Sequence, residues 1–112
     1  MIDMSECAPR AEVETCLAEL HRALTAHGVG ALPMRDSAGR ACLEVRDPAG
    51  RTRRVHVYPQ FFWFTWGSLP DERHSVFRPG EAAALIARVV QGPGWPDRSQ
   101  DDLAPTLDRY LH

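Results

Sequence analysis

Between positions 13 and 24 apolar residues recur at three- and four-residue steps: Val13, Cys16, Leu17, Leu20 and Leu24 share one helical face, while Glu12, Glu14, Glu19 and Arg22 fall elsewhere. The spacing predicts an amphipathic helix over about residues 10–27, with Pro9 in its first turn and Gly28 as the left-handed residue that ends it. Val29 to Ser37, with Gly30 and Pro33, reads as a connector or a short extended segment.

The period then changes from helical to alternating. Asp47-Pro48-Ala49-Gly50 places Pro second in a type I turn and Gly where a positive φ is wanted, so ACLEVR and RTRRVHV form a β-hairpin around it. If Asp47 faces Arg51, the register puts Val45 opposite Arg53, Leu43 opposite Val55 and Ala41 opposite Val57 on one side. The other side pairs Glu44 with Arg54, Cys42 with His56 and Arg40 with Tyr58. One face is mostly apolar and the other polar, which a one-residue slip would undo.

Tyr58-Pro59-Gln60-Phe61 reads as a tight turn into the strand FFWFTWG, with Tyr58 facing Phe61, Val57 facing Phe62 and Val55 facing Phe64. Phe62, Phe64 and Trp66 are then core, and Phe61, Trp63 and Thr65 join Tyr58, His56 and Arg54 on the outer face. Both faces of this strand are aromatic, which asks what covers the second one. Residues 67–73 read as a loop and His74 to Phe77 as a short fourth strand. Pro79 opens a second helix over about 80–91, with Ala82, Leu85, Ile86, Val89 and Val90 on its apolar stripe. Gly92-Pro93-Gly94 ends it, and 92–98 reads as a linker to a last helix that starts near Ser99 and Asp102, or at Pro105, and carries Leu103, Leu107, Tyr110 and Leu111.

The expected architecture is a single α+β domain spanning 1–112: an N-terminal helix, a three- or four-stranded antiparallel sheet and two further helices, with residues 1–8 disordered. Helices one and two cover the apolar sheet face. The last helix or a second chain is the candidate cover for the aromatic one.

Composition narrows the function classes. With 112 residues, 44% hydrophobic and 25% charged, the chain is an ordinary one-domain globular sequence. A formal charge of −2 argues against nucleic acid as partner, since a basic footprint supplies most non-specific affinity. The acidic N-terminal stretch is unlike a secretory signal and no apolar run approaches a membrane span, so the expected location is cytoplasmic, with no membrane partner. Three cysteines at no metal-ligand spacing fit reduced thiols. No sustained internal repeat stands out.

The stretch FFWFTWGSLPDERHSVFRPGEAAALIARVVQ, through Trp63, Trp66, Gly67, Ala82, Ala83, Ala84, Ile86, Ala87, Arg88 and Val89, resembles a group of small actinobacterial proteins of uncharacterised function. These share an aromatic-rich strand ending in Trp-Gly, a short loop and an Ala-rich helix, and are often neighbours of helix-turn-helix regulators. The resemblance covers about a quarter of the chain and implies a regulatory or accessory role; it supplies no catalytic residues. The Asp-Asp-Gly type turn common before the aromatic strand in that group is replaced here by Tyr58-Pro59-Gln60.

Candidate chemistry is sparse. Cys42 opposite His56 is the one pair that suggests a nucleophilic thiolate, but no third orienting residue or oxyanion hole is evident, and a small Cys packed beside a histidine is the simpler reading. His21 and His27, six apart, are not at helical ligand spacing, and neither a metal site nor a cofactor is expected. Arg51, Arg53 and Arg54 beside Phe61 and Trp63 resemble base-stacking sheets, yet the register splits these charges and a solvated hairpin tip explains them.

Arg40, Arg54, His56, Tyr58, Phe61 and Trp63 have the composition of an interface core. The reading with most support is therefore a non-catalytic accessory or regulatory interaction module, self-associating as a homodimer or binding another protein through this aromatic face. The alternative is a small-molecule-binding protein or small enzyme with a pocket at Cys42, His56, Tyr58 and Trp63.

Overall fold

In the computed structural model, residues 8–96 are described; of the stretch 1–8 expected to be disordered only Ala8 falls among them, and it begins a helix, while the expected last helix beyond 98 lies outside them. The chain runs α1 (Ala8–Ala26), β1 (Ala31–Arg35), β2 (Ala41–Arg46), β3 (Thr52–Tyr58), β4 (Trp63–Thr65), β5 (Arg73–Ser75) and α2 (Pro79–Gln91). The strands form one antiparallel meander in the order β1-β2-β3-β4-β5. The sheet thus has five strands, not three or four, and one helix follows it among the described residues.

Helix α1 ends where its sequence requires. Gly28 adopts φ +77°, its N–H donates to the Thr25 carbonyl at 2.9 Å, and the Val29 N–H donates to Leu24 at 2.9 Å. This is a Schellman closure, and both its apolar partners, Leu24 and Val29, are buried. α1 packs on β1, β2 and β3, and α2 packs on α1 and β5, so both helices lie on one sheet face. The core between them joins Leu17, Leu20 and Leu24 of α1, Ala83, Ile86 and Val90 of α2, and Leu43, Val45, Val55, Phe64 and Trp66 of the sheet. Each large aliphatic or aromatic side chain removed from water here contributes roughly 1.5–3 kcal/mol.

The β2–β3 register is the one the Asp47 turn predicts: Leu43 pairs with Val55, Glu44 with Arg54 and Val45 with Arg53. The extra strand β1 arises because Asp36-Ser37-Ala38-Gly39-Arg40 builds the same turn as Asp47-Pro48-Ala49-Gly50-Arg51. In both, the Asp N–H donates to the Arg carbonyl, the Gly N–H donates to the Asp carbonyl, and the Gly sits at φ +80° or +90°. Of the two readings of 29–37, connector or short extended segment, the second holds: it is the first strand of a further hairpin, and DSAGR and DPAGR are a short internal repeat.

The β3–β4 junction differs from expectation by two residues. Tyr58 pairs with Trp63, Val57 with Phe64 and His56 with Thr65. The expected turn forms, with the Phe61 N–H donating to the Tyr58 carbonyl at 3.2 Å, but Pro59 cannot take the positive φ of the two-residue hairpin turns, and the loop runs on through Phe62 at φ +55° before the strands pair. An even shift keeps Phe64 and Trp66 in the core but moves Phe62 off the strand, where it is 51% exposed rather than buried.

Two further differences concern burial. Arg53, expected at a solvated hairpin tip, is buried on the core face, with Nη1 donating to the Trp66 carbonyl at 2.8 Å and facing Glu72 Oε2 at 3.4 Å. The stretch read as a linker is docked as far as it is described. Trp95 is buried, its Nε1 donates to the Val45 carbonyl at 2.9 Å, and its N–H donates to Asp47 Oδ2 at 2.9 Å.

Candidate functional site

The sheet face opposite the helices presents Glu44, Arg54, His56, Tyr58, Trp63, Thr65, Arg73 and Ser75, by the alternation of four consecutive paired strands. Two clusters of side chains form along it.

The first is aromatic. Phe61 stacks on Trp63 with ring centroids 4.8 Å apart, and the Arg73 guanidinium lies 4.1 Å from the Trp63 centroid. Phe62 meets Phe77 at 5.4 Å, and the Val76 N–H donates to the Phe62 carbonyl at 2.9 Å, which ties the loop to the end of β5. Phe61, Phe62 and Phe77 are 37%, 51% and 74% exposed. Arg73 binds Trp63 as a cation over a π face, an arrangement worth about 0.5–2 kcal/mol according to its desolvation. The sequence pointed to Phe61, Trp63 and Tyr58 here; Phe62, Phe77 and Arg73 join them only through the shifted register and the return of β5.

The second cluster centres on Asp36, which the sequence reading passed over. Asp36 Oδ1 accepts from the backbone N–H groups of Ala38 and Arg40, each at 2.9 Å. Oδ2 accepts from Arg40 Nε at 2.9 Å and lies 2.9 Å from His56 Nε2, while the carboxylate side chain itself is only 6% exposed. Burial alone would raise this carboxyl, but the Arg40 N–H, the His56 ring and the Arg40 guanidinium outweigh it and hold it at about 2. For His56, burial is the leading influence and lowers its pKa, against the opposing pull of Asp36. A neutral His56 donating Nε2–H to an ionised Asp36 is the state these influences favour, which fixes the tautomer with Nδ1 as acceptor.

Arg40, His56 and Tyr58 line a cleft of about 480 Å³ at the end of the sheet beside the first turns of α1. Neither Cys42 nor Trp63 lines that cleft, so it gathers two of the four residues of the alternative pocket, His56 and Tyr58. Cys42 is buried, and burial pushes its thiol above the ordinary value, the reverse of what a thiolate nucleophile needs. His56 and His74 are on different faces: His74 pairs with Phe64 and reaches Glu81 of α2 at 3.2 Å. Among the described residues no group of three or more His, Cys, Asp or Glu side chains is placed to hold a metal ion.

No helix of the described residues is long and apolar enough to cross a membrane. Comparison of the chain with protein-family models, with curated proteins and with solved structures finds no match.

Proposed function

We propose that this chain is a non-catalytic accessory or regulatory module of the cytoplasm that self-associates through the aromatic corner formed by Phe61, Phe62, Trp63 and Phe77. The observation that carries the reading is Phe62. A bulky L-residue at φ +55° is held about 1–2 kcal/mol above its relaxed backbone, and the ring gains little burial in return because it is 51% exposed. Strain that serves no core contact is characteristic of residues held for recognition. Phe77, 74% exposed, meets Phe62, and Phe61, 37% exposed, stacks on Trp63 beside it in the chain, and exposed apolar surface of this kind marks contact sites.

A second copy is the occupant favoured, since a patch at one corner of a sheet can meet itself across a two-fold axis with rings stacking on rings. The regulatory part of the reading comes from the resemblance of the segment from Phe61 to Gln91 to small actinobacterial proteins that neighbour helix-turn-helix regulators.

The test is solution mass by size-exclusion chromatography with light scattering across a concentration series, for the wild type, Phe62→Gly and Trp63→Ser. The expected result is a concentration-dependent wild-type dimer and folded monomers for both variants. A wild type that stays monomeric throughout removes self-association from the reading.

A further inference from the structure

The cleft beside Asp36 has features that the aromatic corner lacks. Val13, Ala41, Val57 and Pro59 make an apolar wall, and Arg35, Arg40, His56 and Gln60 bring polar groups to the same space. Its volume of about 480 Å³ is that of a small-molecule site, and a few polar groups on an apolar lining is the usual composition.

The polar groups are held from behind. Asp36 is not itself part of the lining, yet its buried carboxylate bonds both Arg40 Nε and His56 Nε2. Arg40 lines the cleft, and engaging it through Nε leaves its two terminal nitrogens, with four N–H groups, outside that bond. Arg35 is steadied in the same manner by the Gly39 carbonyl at 2.9 Å and by Glu14 at 3.2 Å, which also balances its charge. His56, bound through Nε2, keeps Nδ1 as an acceptor. The lining therefore offers a preorganised guanidinium fork, one ring acceptor and an apolar wall.

We propose that this cleft binds a small organic carboxylate with an apolar body and a hydrogen-bond donor next to the carboxylate. The planar fork of Arg40 matches a carboxylate in bidentate fashion, His56 Nδ1 receives the neighbouring hydroxyl or amine, and Val13, Val57 and Pro59 cover the apolar part. The charges already present on Glu14 and Asp36 are each matched by an arginine, so the site is selective for anions through unused donors and not through a strong net field. Phe62 and Trp63 do not line the cleft, so this inference stands apart from self-association.

The test is a titration of the whole chain with mandelate at about pH 7.5, where His56 is neutral, followed by amide NMR and calorimetry. Mandelate carries the carboxylate, the adjacent hydroxyl and an apolar ring; mandelamide is its uncharged counterpart. The expected result is saturable shifts confined to residues around 39–41 and 56–60, a Kd of about 1 mM or tighter, and mandelamide weaker by roughly tenfold or more, the worth of a hydrogen bond to a charged group. Arg40→Gln should weaken mandelate by a similar factor, and Trp63→Ser should leave it unchanged. Shifts that fail to saturate by about 10 mM, or equal binding of the two probes, overturn the proposal. So does Arg40→Gln binding as the wild type does. Should Arg40→Gln lose the native spectrum, the ranking of the two probes on the wild type decides.

Discussion

Arg53 and Glu72 meet inside the domain, Nη1 to Oε2 at 3.4 Å, with side chains only 2% and 10% exposed. The pair explains the small residue at position 67. A Cβ on Gly67 would be driven into Glu72 Oε1 and would lie 2.5 Å from Arg53 Nη1. Glu72 also closes its own loop, with Oε1 accepting from the Leu69 N–H at 3.0 Å and its N–H donating to the Leu69 carbonyl at 2.9 Å.

Removing the Glu72 charge takes one counter-charge from a buried guanidinium, and breaking such a pair costs about 3–5 kcal/mol. Glu72→Gln is expected to lower unfolding free energy by that order, and Gly67→Ala by about 1–3 kcal/mol through overpacking. Urea unfolding checks both. A Glu72→Gln protein as stable as the wild type would mean that the other contacts of Arg53, the Trp66 carbonyl and the Trp95 ring among them, suffice without the Glu72 charge.

Phe62→Gly separates stability from association. Glycine relaxes the left-handed backbone by about 1 kcal/mol, while loss of the Phe62–Phe77 contact removes about 0.5–1 kcal/mol. The expected Tm is within a few degrees of the wild type, about the effect of 1 kcal/mol in a chain of this length. A collapse of Tm would mean instead that the ring serves the fold.

Trp95 is held by its indole N–H as well as by its size. Trp95→Phe keeps most of the ring but removes the side-chain donor to the Val45 carbonyl, a loss of about 0.5–1.5 kcal/mol. Trp95→Ala is expected to cost about 3–5 kcal/mol. Denaturant midpoints at constant m-value measure both, and a silent Trp95→Phe would show that the strand pairing of Val45 with Arg53 satisfies the carbonyl by itself.

Acid should weaken the fold in two stages. His56 is depressed below 6.5, so its contribution is complete above that value and falls as pH drops through the folded pKa. Asp36 is held at about 2 against an ordinary 3.8, so its contribution is complete above about pH 4 and is lost as pH falls toward 2. Melting temperatures across this range should be flat at neutral pH, then decline, then decline again. His56→Gln should remove the upper stage and Asp36→Asn should shrink the lower, to which Asp47 and Glu81, also held below their ordinary values, contribute. A melting temperature that rises between pH 7 and 5 would contradict the sign for His56.

The local elements were legible in the sequence wherever one short-range rule acts alone. The stripe from Val13 to Leu24, its Gly28 closure, the helix opened by Pro79 and the β2–β3 register all follow from periodicity and turn chemistry within a few residues. The same logic could have found β1, because DSAGR repeats the DPAGR pattern eleven residues earlier. That odd offset also puts the two aspartates on opposite sides of the sheet. Asp47 reaches Trp95 on the helix side, and Asp36 reaches His56 and Arg40 on the other.

What the tertiary structure decided is how groups far apart in the chain share charge and space. Arg53 is legible as a surface residue until Glu72 and Trp66 come to meet it. A buried charge is tolerable only with partners, and those partners lie 13 and 19 residues away. Phe62 reads as core until Pro59 forces a longer loop and turns it outward. The Asp36, His56 and Arg40 cluster needed both the unread hairpin and the pairing of β2 with β3 before its members could touch. Alternation along a strand assigns a residue to a face; only assembly of the sheet and its loops determines what each face is placed against.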